Sequence, residues 1–159
     1  MRLNDDIAQI QLPDGASFSV RLIDCVGYMI DGAAGHMEED AERMVKTPWS
    51  EEEIPFTQAA EIGTDKVMRD HSTIGLVITT DGSIGELPRS NYLGAEEKTI
   101  LALKKSGKPF LVLVNSQKPY SEETRQVAEE IGKKYDVAVM PVNCEQLKKE
   151  DINRLLEKI

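Results

Sequence analysis

Phe110-Leu111-Val112-Leu113-Val114-Asn115-Ser116 decides the fold. Five apolar residues run on without alternation and then stop at two polar ones, which is the pattern of a strand covered on both faces of a sheet. Two further runs share it, Leu76-Val77-Ile78-Thr79-Thr80 and Val137-Ala138-Val139-Met140-Pro141-Val142. Helical patterns lie between and after them. Residues 57–70 open at Thr57 and align Ala60, Gly63 and Val67, and residues 94–106 end at Gly107 with Lys104 and Lys105 in the last turn. Residues 121–134 open at Ser121, carry Glu122 and Glu123 in the first turn, and close on Gly132, Lys133 and Lys134. The last helix aligns Ile152, Leu155, Leu156 and Ile159 on one stripe. Upstream, Ile7 to Asp24 reads as a β-hairpin turning at Pro13-Asp14-Gly15, its second arm placing Phe18, Val20 and Leu22 on one face. A hairpin followed by alternating helices and buried strands predicts an α/β fold, doubly wound with right-handed crossovers.

The 159 residues suit one compact domain, 1–159. Acidic residues number 28 against 19 basic ones, a net charge of −9, so nucleic acid is a poor partner. No apolar run approaches the roughly 20 residues of a membrane span, and the amino terminus lacks the order of a secretory signal. The chain reads as cytosolic. Cys25 and Cys144 are the only cysteines and His36 and His71 the only histidines, too few for a disulfide framework or a histidine-based metal cluster. Both cysteines are expected to be small buried hydrophobes, and both histidines structural.

Residues 28–56 fit no regular element, although 36–46 has the look of a short helix. This long flap holds eight acidic residues against Arg43 and Lys46, so two thirds of the net charge sits in it. It reads either as a solvated surface or as a switch that answers a partner or nucleotide. Trp49, the single tryptophan, either anchors it to the core or faces a partner.

In doubly wound sheets ligands gather at the carboxyl ends of the strands, and here every strand end is polar. Asp24-Cys25-Val26-Gly27 is an Asp-x-x-Gly, the arrangement in which phosphate-hydrolysing domains hold magnesium through water and bring a glycine amide to the terminal phosphate. It serves equally as a polar strand end with a turn glycine. Thr79-Thr80-Asp81-Gly82 is most simply a turn. Asn115-Ser116-Gln117-Lys118 stands where guanine readers carry Asn-Lys-x-Asp, but Lys118 has only donors, so guanine selectivity of that kind is not expected. Asn115-Ser116 otherwise caps the strand. No Gly-x-x-x-x-Gly-Lys-Ser/Thr occurs anywhere, so the phosphate cradle is missing. A phosphorylated receiver domain fits poorly, because Ser116 and Lys118 share one loop.

Arg21-Leu22-Ile23-Asp24-Cys25-Val26-Gly27-Tyr28, Asp31-Gly32-Ala33-Ala34-Gly35, Thr47-Pro48-Trp49, Ile54-Pro55-Phe56 and Ala59-Ala60-Glu61-Ile62-Gly63-Thr64 closely resemble the stage IV sporulation protein A family. So do His71-Ser72-Thr73-Ile74-Gly75, Thr79-Thr80-Asp81-Gly82, Gly107-Lys108-Pro109-Phe110, Asn115-Ser116 and Pro119-Tyr120. The resemblance implies a three-layer, GTPase-like P-loop domain that hydrolyses ATP with Mg2+, its sheet mostly parallel with an antiparallel hairpin arm. In that family hydrolysis drives self-polymerisation of the spore coat basement layer. The implied setting is the mother-cell cytoplasm, at the outer forespore membrane, with coat proteins and a small amphipathic membrane peptide as partners. The family's magnesium aspartate falls on Asp24, with the Gly27 amide at the terminal phosphate, and its lost guanine motif falls on Asn115 and Ser116 as nucleotide-binding positions. The family's P-loop strand and helix precede everything present here, so the chain reads as an internal piece. Removing that strand predicts direct pairing of the strands ending in Asp24 and Thr80, or a second chain filling the gap. As an isolated chain, an assembly scaffold without nucleotide is the favoured expectation over an enzyme.

Overall fold

The computed structural model describes residues 2–3, 7–11, 14–38 and 41–159. The chain opens on two separate antiparallel pairs. β1 (Arg2–Leu3) lies against β4 (Ile23–Asp24), and between them β2 (Ala8–Gln11) and β3 (Ser17–Val20) form the expected hairpin, with Ile10 opposite Phe18. Pro13 lies outside the described residues, but the Asp14 carboxylate accepts a bond from the Ala16 amide at 3.0 Å and tightens the turn. The second arm is shorter than its alternation suggests. It breaks after Val20, leaving Leu22 65% exposed, and the hairpin forms its own two-stranded sheet instead of an arm of the main one.

From Met37 on, the described residues of the flap pair mostly as short strands. β5 (Met37–Glu38) pairs with β6 (Ala41–Glu42), and β7 (Met44–Thr47) with β8 (Ser50–Pro55), so the helix expected over 36–46 does not form. β-branched Val45 and Ile54 face each other across the second pair, where Thr47-Pro48-Trp49-Ser50 supplies the turn. Trp49 folds back on the next helix, close enough to Gly63 that a Cβ there would sit 3.8 Å from its ring, with the Lys66 ammonium 5.9 Å from the ring centroid. The flap is thus anchored through its tryptophan, which keeps 41% of its surface exposed.

α1 (Phe56–Lys66) follows and widens into a π turn over Val67–His71. β9 (Gly75–Thr80), α2 (Leu93–Ser106), β10 (Phe110–Asn115), α3 (Glu122–Tyr135), β11 (Val139–Val142) and α4 (Lys149–Lys158) then build a parallel three-stranded sheet in the order β11-β10-β9. Leu111, Val112, Leu113 and Val114 of the central strand are all at most 2% exposed, as the unbroken run requires. Alternate residues of β10 feed two cores. Val112 and Val114 pack with Val77, Met68, Ile100, Leu103, Ile131 and Tyr135, whereas Leu111 and Leu113 pack with Met140, Val142 and Leu155. Each fully enclosed aliphatic side chain stabilises the fold by about 1.5–3 kcal/mol. Gly75 is needed for close approach, since a Cβ there would meet Leu103 Cδ2 at 2.9 Å and Phe110 Cβ at 3.1 Å. The Lys108 ammonium donates to the carbonyls of Met68, Arg69 and Ser72, each at 2.7 Å, and so caps the end of the preceding helix from another element.

α2 ends on left-handed Gly107, and Ser121 caps α3 by accepting the Thr124 amide at 3.3 Å, both as the sequence predicts. α3 runs to Tyr135, one residue past the expected 134, and stops at left-handed Asp136. Ile152 of α4 is 39% exposed, so its stripe is narrower than the spacing implies. Both cysteines are only half-buried, although burial still pushes the Cys144 thiol up. The larger departure is at β9. Leu76 and Ile78 share the face of Leu111 and Leu113 but are 41% and 62% exposed, because α4 covers that face only beneath β10 and β11. Among the described residues β9 pairs only with β10, and Asp24 sits in a strand paired with Arg2–Leu3, so the expected direct pairing between these two strands is absent.

Candidate functional site

The carboxyl ends of β9 and β10 meet in a hydroxyl network centred on Asp81. Its Oδ1 accepts the Ser83 amide at 2.9 Å and the Ser83 hydroxyl at 2.6 Å, and its Oδ2 accepts the Thr124 hydroxyl at 2.7 Å. One hydroxyl has one proton, which orders the remaining bonds. With Thr124 donating to Asp81, Ser116 donates to Thr124 at 3.1 Å and accepts the Lys118 amide at 2.9 Å. Ser116 and Thr124 are at most 1% exposed, so this network ties the loop after β10 to the start of α3. An open cleft of about 340 Å³ adjoins it, lined by Asp81, Ser83, Lys118, Ser121 and Glu123.

Burial alone raises the Asp81 carboxyl, but the hydroxyls of Ser116, Ser83 and Thr124 gathered around it overcome this and lower the group from 3.8 to about 2. A depressed folded value means stability that is complete above the ordinary carboxylate range and is lost as pH falls from about 3.8 through about 2. Asp81→Asn should therefore flatten the acid limb of the stability profile between those values. Urea midpoints measured from pH 2 to 5 check this, and an acid limb as steep as wild type would contradict it.

Behind the cleft, Arg89 and Glu96 form a buried pair. Arg89 Nη1 reaches Glu96 Oε2 at 3.0 Å and the Thr80 carbonyl at 2.7 Å, Nη2 reaches Glu96 Oε1 at 3.1 Å, and the Thr79 hydroxyl donates to Glu96 Oε2 at 2.6 Å. The side chains are 19% and 3% exposed. The pair holds the end of β9 against the segment 87–91, and that segment in turn binds the chain after the Asp24–Gly27 turn. Asn91 donates to the Asp31 carbonyl at 2.8 Å and accepts the Asp31 amide at 3.1 Å.

The Asp24–Gly27 turn itself lies on α1. Asp24 is exposed, and Gly27 takes a left-handed φ of 78°. The Gly27 amide donates to the Thr64 hydroxyl at 3.0 Å, and that hydroxyl returns a bond to the Gly27 carbonyl at 3.3 Å. Next to it the Tyr28 hydroxyl donates to Asp65 at 2.9 Å, with the Lys98 ammonium 4.7 Å from its ring centroid. Burial and the Asp65 carboxylate together push the Tyr28 phenol up to about 12.

Of the predicted site residues, Asn115 and Ser116 are brought together at the loop after β10, both engaged by the fold. Asn115 accepts the Cys144 amide at 2.9 Å and bridges to the loop after β11. Asp24 and Gly27 are organised separately, by α1. Among the described residues no cluster of three or more His, Cys, Asp or Glu is placed to hold a metal, so Asp24 offers one carboxylate. That suits a magnesium ion that keeps most of its waters and takes its remaining ligands from phosphate. Among the described residues no helix is long and apolar enough to cross a membrane. Sequence reasoning missed Glu96, although it stands on the same stripe as Ile100 and Leu103, and a charge on a buried stripe signals a buried partner. It also took Asp81 for a plain turn residue.

Residues 3–159 match the family described as Stage IV sporulation protein A, ATPase domain. The chain is 47% identical over 149 residues to the stage IV sporulation protein A of Bacillus subtilis (strain 168) and 46% identical over 149 residues to that of Bacillus anthracis. Over 154 residues it is 46% identical to that of Clostridioides difficile (strain 630). These alignments cover 94%, 94% and 97% of this chain, which spans only 30%, 30% and 31% of the relatives' length. No solved structure matches it.

Proposed function

We propose, from the premise that this chain belongs to the stage IV sporulation protein A family, that it forms the sheet and flap of a P-loop ATPase domain whose hydrolysis of ATP drives assembly of the spore coat. The match of residues 3–159 to the family's ATPase domain carries this reading. Asp24 would hold magnesium through water and the Gly27 amide would face the terminal phosphate, while Asn115 and Ser116 shape the loop on which the base rests. The phosphate cradle comes, in this reading, from residues outside the 159. The strand that precedes such a cradle would pair with the free edge of β9, and its helix would cover Leu76 and Ile78, completing three layers. The product is a polymer of the protein with itself and with coat proteins, formed in the mother cell against the outer forespore membrane and tethered there by a small amphipathic peptide.

Calorimetric titration with ATP, with and without magnesium, tests the reading. A protein of the relatives' full length should bind in the micromolar range only with magnesium, and Asp24→Asn should lose that dependence. The 159-residue chain alone should show no binding at millimolar ATP. Equal magnesium dependence in Asp24→Asn, or no binding by the longer protein, would overturn it.

A second reading, a segment that serves assembly without nucleotide, draws support from the open edge and exposed face of β9. Sedimentation showing concentration-dependent self-association of this chain without ATP favours it.

A further inference from the structure

We infer that Thr64 is a positioning residue that holds the Gly27 peptide in a resting orientation, in which its amide is unavailable to an anion. This rests on the reading above, in which that amide faces the terminal phosphate. Thr64 is 3% exposed and sits inside α1, where a threonine hydroxyl ordinarily bonds the carbonyl one turn back. Here it is turned to Gly27 instead, and it engages both polar groups of that residue, the amide at 3.0 Å and the carbonyl at 3.3 Å. A Cβ built on Gly27 would meet no atom within 4 Å, so no neighbour packs against its α-carbon, and glycine's free φ removes the torsional barrier on its own side. The neighbouring residue is fixed by contrast, since Tyr28 is bound to Asp65, the next residue of the same helix, and lies under Lys98.

A movable peptide beside a fixed pivot, held by one hydroxyl, is a two-position device. In the resting position the Gly27 N–H belongs to Thr64. In the other it is released to an anion on the open side, and the Thr64 hydroxyl falls back to the Ala60 carbonyl, so no buried donor is left unpaired. The terminal phosphate of a nucleotide therefore competes with Thr64, and a nucleotide lacking that phosphate does not.

Amide exchange of the 159-residue chain and nucleotide titration of a full-length family protein test this together. Thr64→Val keeps the side-chain shape without the hydroxyl, and Thr64→Ser keeps the hydroxyl. Thr64→Val should speed Gly27 exchange about tenfold or more, Thr64→Ser should leave it near wild type, and exchange at Val112 and Val114 should be unchanged in both. Thr64→Val should also bind magnesium-ATP about three- to tenfold more tightly and magnesium-ADP unchanged. Unchanged Gly27 exchange in Thr64→Val overturns the resting contact. Faster exchange with ATP and ADP affinities that stay level, or move together, overturns the competition with phosphate. If the wild-type protein binds no nucleotide, the proposed function falls and the competition with it, an outcome distinguishable because the exchange result is read without ligand.

Discussion

Arg89→Met is expected to destabilise the fold by about 3–5 kcal/mol, read as a lowered urea midpoint with an unchanged m-value. The reason lies in what is left behind. Glu96 is 3% exposed in side chain, and its two oxygens are held by both Arg89 nitrogens and the Thr79 hydroxyl. Without the guanidinium a carboxylate remains in an apolar setting beside the end of β9, and the Thr80 carbonyl loses its partner as well. The cost belongs to the orphaned charge more than to the pair. The double variant Arg89→Met/Glu96→Leu should therefore recover much of the loss, because apolar groups of similar volume restore packing without a charge. Arg89→Met costing less than about 1 kcal/mol, or a double variant worse than the single, would contradict this account. The local readout is at Asn91 and Asp31, whose amide exchange should rise in Arg89→Met as segment 87–91 loosens.

Lys108→Met should cost about 2–3 kcal/mol, the range for a charged hydrogen-bond donor taken from part-buried acceptors. Three carbonyls, of Met68, Arg69 and Ser72, converge on one ammonium, and these are carbonyls that the end of a helix cannot satisfy internally. Methionine keeps the apolar stem, so the loss isolates the charge. Lys108→Arg should recover less than half, since a planar fork does not match acceptors arranged around a point. Hydrogen exchange separates this from a general loss of stability: amides at 67–72 should open first, while those of β10 keep their protection. Full recovery by arginine, or uniform loss of protection, would refute the capping role.

Much of the fold was legible in short stretches. The run 110–114 announced a doubly covered strand, Ser121 and Gly107 announced helix ends, and Asp14-Gly15 announced the hairpin, because propensity, capping and turn chemistry act over a few residues. The misreadings have physical causes too. Acidic residues 36–46 resemble a helix, yet 37–38, 41–42 and 44–46 pair as strands, the last of them because Val45 and Ile54 find each other across a turn. Leu76 and Ile78 read as part of a strand covered on both faces, yet they stay exposed because α4 covers that face only beneath β10 and β11. The site divides in the same way. Asp24-x-x-Gly27 and Asn115-Ser116 stood out as polar strand ends, but what holds them did not.

The sequence by itself determined the first hairpin, the order of helices and strands from α1 onward, the polar strand ends and the family, since these depend on near neighbours and on residue identity. Only the tertiary structure decided that Thr64 holds Gly27 across 37 residues, that Lys108 caps a helix 36 to 40 residues away, and that Glu96 and Arg89 share a buried bond. It alone also left Leu76 and Ile78 uncovered. The physical reason is that a hydroxyl, an ammonium or an exposed aliphatic looks the same in a sequence whatever stands opposite it, and the chain's path through space is what supplies, or withholds, the partner.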